Sequence, residues 1–282
     1  MSLFGLGAAS VLGALASPVT APSVTVTMFS DAQCPCSAQF VADVKYLLDQ
    51  PQFGAVDFVQ YFEPKCNDAF PHCKKVQPDP QLFECIHGDE ECLGHRYFLC
   101  AQKLAAGDGP VTYRAAAAWL DFQACSYGAC MQCDVFTKLA CLTPCTTYTT
   151  FTKPGKNDIM KNCAAQVGLD WGALQSCAAP NSTLGQQLQI ASARECIDRK
   201  ATYGTLGLPV VDVGATRLVT AQVVPLFCGP TPIEFLQGVC TELQAQGTAV
   251  ADLPPACAST PAMCQAIANS SRIPACNNQM TQ

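Results

Sequence analysis

The pattern of apolar and polar positions divides the chain into a short series of elements. Val24 to Phe29 reads VTVTMF, an apolar and β-branched run that predicts a strand. From Ser37 to Asp49 the residues Phe40, Val41, Val44, Leu47 and Leu48 recur at i, i+1, i+4, i+7 and i+8, the apolar stripe of an amphipathic helix. A second strand runs from Val56 to Phe62 and stops at Glu63-Pro64. Residues 66 to 100 set Cys66, Cys73, Cys85, Cys92 and Cys100 among Pro, Asp and His, a disulfide-tied loop running into a helix. From Thr112 to about Cys196 the chain is alanine-rich and helical, interrupted by CSYGACMQC, CLTPC and the polar stretch Lys153 to Asp158. Strand character returns at Leu208 to Val213 and, after Gly214, near Arg217 to Thr220, which is a hairpin signal. A last amphipathic helix is predicted over Pro232 to Leu243, with Ile233, Leu236, Val239, Cys240 and Leu243 on one face. Residues 245–282 are rich in Ala, Pro and Cys and read as an irregular tail.

A βαβ unit, a helical insert, a β-hairpin and a closing helix make the order of an α/β, thioredoxin-like fold with an inserted helical, disulfide-rich subdomain. The domain is placed at residues 24–244, its insertion at about 66–200, and the tail at 245–282.

Composition narrows the setting. Twenty of the 282 residues are cysteine, which points to an oxidising compartment where disulfides persist. Residues 3 to 16, LFGLGAASVLGALA, end in the A-x-A pattern of a signal-peptidase site, so residues 1–16 read as a secretory signal peptide. Its n-region lacks a basic side chain, the first being Lys45, and a buried N-terminal segment is the alternative. The run is too short to span a bilayer, which takes roughly 20 apolar residues. Asn181-Ser182-Thr183 and Asn269-Ser270-Ser271 are sequons compatible with that route. Charged residues are 13% of the chain and the net charge is −6, so no basic stripe exists to neutralise nucleic-acid phosphates. The expectation is a chain with no membrane span and no nucleic-acid partner, secreted or in the lysosomal or endosomal lumen.

The candidate chemistry lies at Cys34-Pro35-Cys36-Ser37, where the first strand gives way to the first helix. A nucleophilic cysteine must be a thiolate, and the unpaired N–H groups of a helix N-terminus favour an anion there. Cys34 takes the nucleophile's place, and Pro35 suits the first helical turn. The thiolate would attack a substrate disulfide, and a second thiol would resolve the mixed disulfide. The fourth position, where a Cys-x-x-Cys site keeps that thiol, holds Ser37, whose hydroxyl can hydrogen-bond a thiolate but cannot resolve it. Cys36 is the local substitute, through a very small and strained ring. The alternative is that both cysteines are structural.

Pro209 belongs to the same set. In thioredoxin-like folds the strand facing the redox motif begins with a cis-proline that packs beside the active cysteine and exposes backbone to substrate. Leu208-Pro209-Val210 stands where that element falls, although a proline opening a strand is ordinary by itself. A complete Cys-x-x-Cys at Cys130 to Cys133 follows a helix rather than a strand and reads as structural. Cys125, Cys130 and Cys133 also fit an iron–sulfur spacing, which a secreted chain disfavours.

Residues 85–100, CIHGDEECLGHRYFLC, resemble the signature C-Q-H-G-x-x-E-C-x-x-N-x4-C of the gamma-interferon-inducible lysosomal thiol reductase family. Cys85, His87, Gly88, Glu91, Cys92 and Cys100 match, while Ile86 replaces the glutamine and His95 the asparagine. The resemblance covers about Val24 to Leu243. It implies a thiol–disulfide oxidoreductase of the endosomal–lysosomal or secretory pathway that acts on disulfide-containing proteins, with no cofactor and with a small thiol as a candidate reductant. The first motif cysteine carries over to Cys34. The second does not, because Ser37 stands there, as in relatives that have Cys-x-x-Ser. Cys85, His87, Cys92 and His95 can also be drawn as a zinc site, but bridged sulfurs are the expectation and no metal is assigned. Against the enzyme stands a catalytically inactive, disulfide-rich binding or structural protein that keeps the fold.

Overall fold

The computed structural model describes residues 23–32, 34–50, 53, 56–63, 85, 89–108, 117–130, 159–203, 209–218 and 230–266. The signal-peptide segment, the cysteine loop at 66–73, His87, Cys133, CLTPC and Asn269 lie outside the described residues.

Strand β1 (Val24–Ser30) passes through a turn into helix α1 (Pro35–Leu48), and β2 (Val56–Phe62) follows. Helices α2 (Asp89–Ala106), α3 (Ala118–Cys130), α4 (Ile159–Val167), α5 (Trp171–Ala178) and α6 (Thr183–Tyr203) precede the hairpin β3 (Val210–Val213) and β4 (Thr216–Leu218). Helix α7 (Pro232–Ala245) closes this series, and a short α8 (Thr260–Ala266) comes after it. The sheet order is β2-β1-β3-β4. β1 pairs with β2 in parallel, Val24 opposite Val56 through Ser30 opposite Phe62. It pairs with β3 antiparallel, Phe29 opposite Val210, and β3 pairs antiparallel with β4. A parallel βαβ unit whose first strand pairs with a later antiparallel hairpin, closed by a helix, is the thioredoxin-like arrangement. The fold class expected from the element order is the one observed, down to the bounds of β2.

The periodicities that predict the elements also predict what they bury. In α1, Phe40, Val41, Val44, Leu47 and Leu48 are all buried. The register of α7 differs slightly: Phe235 is among its fully buried residues, whereas Ile233 stays partly exposed. The reason is a partner, since the Phe235 ring meets Phe40 of α1 edge-on at 5.9 Å. Thr231 and Glu234 form a capping box that fixes where α7 begins, Glu234 N–H donating to the Thr231 hydroxyl at 3.3 Å.

The helical insert packs on β2. Phe58 stacks on Trp119 of α3 at 6.0 Å, and Phe62 on Phe98 of α2 at 5.6 Å. Ser192 of α6 accepts the Phe62 N–H at 2.7 Å, tying the outer edge of β2 to the insert. Disulfides fasten the helices to one another: Cys100–Cys177 joins α2 to α5, and Cys125–Cys163 joins α3 to α4. A Cβ on Gly185 of α6 would collide with the Cys177 carbonyl, so glycine is what allows α6 to approach α5 so closely.

The expected irregular tail is partly ordered. Cys240–Cys257 pins two 3₁₀ turns, Val250–Asp252 and Pro255–Cys257, and Ser259 accepts the Ala262 N–H (3.3 Å) at the start of α8. Short serine-capped, proline-opened turns of this kind carry too few apolar repeats to register as periodicity. Among the described residues no helix is long and apolar enough to cross a membrane.

Candidate active site

The turn between β1 and α1 is built so that one sulfur meets one helix end. Ser30, the last residue of β1, is anchored from β2: its hydroxyl accepts from Gln60 Nε2 at 2.6 Å, and its carbonyl accepts the Glu63 N–H at 2.8 Å. The chain turns after Ser30, and Cys34 N–H donates to the Asp31 carbonyl at 3.3 Å. Cys34 is the N-cap of α1, with extended backbone (φ −77°, ψ 116°) and Pro35 following it inside the first turn. No acidic residue occupies that first turn. The sulfur therefore sits where helix N–H groups lack intrahelical acceptors.

Cys34 is a half-buried thiol outside the disulfides. Burial is the largest influence on it and pushes its pKa up, because the anion loses hydration. The Ser37 N–H, the Ser37 hydroxyl and the Cys36 N–H oppose this by stabilising a thiolate, while the negative charge of Asp31 adds to the upward shift. The net direction is upward. The expectation that the helix end activates this cysteine thus holds for the sign of that one contribution, but burial and Asp31 outweigh it.

Ser37 is fully buried, and its Oγ also accepts the Asp31 N–H at 3.4 Å. Cys36 is bonded in a disulfide. Since Cys34 is a thiol, that bond does not run between the two, and the small strained CPC ring considered on sequence is not formed. A disulfide sulfur carries no thiol with which to resolve a mixed disulfide. Pro209 is buried at the entrance to β3, and the register Phe29–Val210 carries it toward Ser30, the residue leading into the Cys34 turn.

Behind the turn lies a buried polar group that sequence reasoning did not assemble. Asp31 and His95 are each 1% exposed, and His95 Nε2 stands 3.8 Å from Asp31 Oδ1. Tyr127 of α3 donates its hydroxyl to the Asp31 carbonyl at 3.1 Å. On the other side of the imidazole, Nδ1 is 3.6 Å from Cys85 Sγ, and the Phe62 ring lies 5.1 Å away. Helix α2 reaches the turn because Gly94 faces it: a Cβ there would come within 3.0 Å of the Ala32 Cβ. The signal was present as two buried-type polar residues, one preceding CPCS and one inside CIHGDEECLGHRYFLC, but 64 positions separate them and no local pattern joins them.

Cys85, Glu91 and His95 bring potential ligand atoms within 4.8 Å of one another. Cys85 is bridged to Cys92, however, which removes two of the four ligands of the drawn zinc site as thiolates. Of the cluster among the described residues, one carboxylate and one imidazole remain, short of the four-ligand shell of a structural zinc; His87 of the drawn site lies outside the described residues. Cys133 of the second Cys-x-x-Cys lies outside the described residues.

No protein-family model matches the chain, and no curated protein matches it. Among solved structures it is similar to a bacterial protein from Nitrosomonas europaea whose assignment as a protein disulfide isomerase is itself provisional. The two are 13% identical with a TM-score of 0.43, over 79% of this chain and 98% of the other. A likeness at that level assigns no activity. The class defined here rests on the sheet order and the position of Cys34: a thioredoxin-like fold with a cysteine thiol at the N-terminus of its first helix.

Proposed function

We propose that the protein is a thiol–disulfide oxidoreductase, as the resemblance to gamma-interferon-inducible lysosomal thiol reductases implies, but one that departs from the two-cysteine motif and works with Cys34 alone as its nucleophile. The observation that carries this reading is the placement of a thiol, not a disulfide, at the N-cap of α1 with the Ser37 hydroxyl and two helix N–H groups favouring its anion. The Cys34 thiolate attacks one sulfur of a substrate disulfide. A Cys34–substrate bond forms, the substrate S–S bond breaks, and the released substrate thiolate takes a proton from water. An external small thiol then attacks the Cys34 sulfur, freeing the second substrate thiol. A second small thiol attacks the resulting enzyme-bound mixed disulfide, restoring Cys34 and leaving as the oxidised small-molecule disulfide. Two thiols are oxidised for each substrate disulfide reduced. Ser37 stabilises the thiolate without competing for it, and Cys36 is structural. Pro209 offers the backbone edge against which the substrate lies.

The catalytic unit is residues 24–244, preceded by a leader at 1–16 that directs the chain to the secretory or endosomal–lysosomal lumen, and Asn181, exposed in the turn before α6, is a glycosylation acceptor. The upward shift of Cys34 favours a second reading, a disulfide-rich binding protein that keeps the fold without turnover. One experiment separates them. The protein is incubated with a denatured disulfide-containing substrate and quenched with acid, and the adducts are mapped by mass spectrometry. A mixed disulfide at Cys34 that a small thiol discharges, and that Cys34→Ser abolishes, supports the enzyme. A Cys34 that never enters a mixed disulfide refutes it.

A further inference from the structure

The buried imidazole of His95 has an unusual setting. Among the described residues its Nε2 has no hydrogen-bond partner, yet it lies 3.8 Å from the Asp31 carboxylate. Its Nδ1 faces a sulfur already committed to the Cys85–Cys92 disulfide, a weak acceptor that does not titrate. Among the described residues, the titratable groups on the elements packed about it are these. Asp31 extends from the end of β1, and Glu91, fully buried, lies one turn earlier on α2 within the same 4.8 Å cluster. Glu63, 7% exposed, follows Phe62 at the end of β2, and Tyr127 of α3 holds the Asp31 carbonyl. Cys34 is joined to Asp31 through its own backbone hydrogen bond. Acidic groups therefore outnumber the one base, and that base is the only buried group of the set that gains positive charge as pH falls.

From this arrangement we infer that His95 is a positioning residue whose proton sets how readily Cys34 ionises, acting through Asp31. With His95 neutral, the negative charge of Asp31 opposes a second one on the Cys34 sulfur. When His95 binds a proton, its positive charge at 3.8 Å offsets that of Asp31, and the thiolate becomes easier to form. The coupling concerns this chain's own His95, which stands where the signature it resembles has asparagine, a side chain with no proton to gain. The inference rests on Cys34 being the exchanging thiol, but its test reads ionisation rather than turnover.

The rate of Cys34 alkylation by iodoacetamide, located by mass spectrometry, is followed between about pH 5 and 9, the range in which an imidazole titrates. A lone thiol gives a line of unit slope below its pKa. Coupling to His95 gives two such lines joined by a shallow step, with the acid branch raised by about threefold or more, half a pKa unit of linkage. His95→Asn should leave the rate on the alkaline branch near that of the wild type and remove the step. Asp31→Asn should raise the rate throughout, because the like charge that opposes the thiolate is gone. No variant is needed for a further check: the chain has three histidines, and NMR of their ring carbons should show the His95 titration coinciding with the step. A single straight line in the wild type, a step that survives in His95→Asn, or a His95 that does not titrate across it would each overturn the coupling. Failure of the exchange reading looks different, a Cys34 that alkylates with either profile but forms no mixed disulfide.

Discussion

Replacing Ser37 by alanine tests the candidate site at the residue that most distinguishes it. Ser37 is fully buried at the first turn of α1, and its hydroxyl has two tasks. It favours the Cys34 thiolate, and it accepts the Asp31 N–H at 3.4 Å. A hydrogen bond to a charged group contributes roughly 1.5–3 kcal/mol, and the half-buried sulfur places this one at the lower end. Losing about 1.4 kcal/mol of thiolate stabilisation raises the Cys34 pKa by about one unit, a tenfold drop in thiolate at neutral pH. Alkylation of Cys34 at pH 7 should then slow about tenfold, and the difference should vanish once the pH exceeds the thiol pKa of both proteins. Removing the acceptor from the buried Asp31 N–H should lower stability by about 1 kcal/mol, read from urea unfolding of the disulfide-intact protein. If Ser37→Ala, still folded, alkylates within about twofold of the wild type, the hydroxyl does not support the thiolate and the reading of the site fails.

Three further outcomes follow from the same structure. Ser37→Cys places a thiol one helical turn from Cys34, so the introduced sulfur should form a disulfide with Cys34, and the variant should reduce protein disulfides with less dependence on a small thiol; unchanged dependence would count against Cys34 as the attacking group. Cys34 has its pKa raised in the folded state, so both states keep the proton below the ordinary thiol pKa and the full stability is present there. As pH rises, the unfolded thiol ionises first, and the native state should lose up to about 1.4 kcal/mol per pH unit until its own raised pKa is passed. Cys34→Ala should lack this part of the slope, and equal slopes in denaturant titrations would contradict the burial argument. Cys100–Cys177 closes a loop of 77 residues, so Cys100→Ala/Cys177→Ala should cost at most about 4.5 kcal/mol by loop entropy, read as a lowered unfolding midpoint.

Elements whose evidence is local could be read directly from the chain. The alternation in Val56 to Phe62, the stripe Phe40 to Leu48 and the turn at Gly214 specify their structures because side-chain direction repeats every 2 residues in a strand and every 3.6 in a helix. Since a parallel βαβ unit and a hairpin share few compatible arrangements, those elements in that order already fixed the fold class, and they placed Cys34 at a strand end and a helix start. The ionisation of Cys34 was decided elsewhere. Its burial and the charge of Asp31 set that balance, and the proximity of Asp31 to His95 depends on α2 approaching the turn over Gly94. Cys36 shows the same division: its neighbour in sequence is Cys34, but its sulfur is committed to another disulfide. Spacing along the chain records which groups can be neighbours within one element. Only the packed structure decides which distant groups share a water-excluded site, and there charge and burial act far more strongly than in solvent.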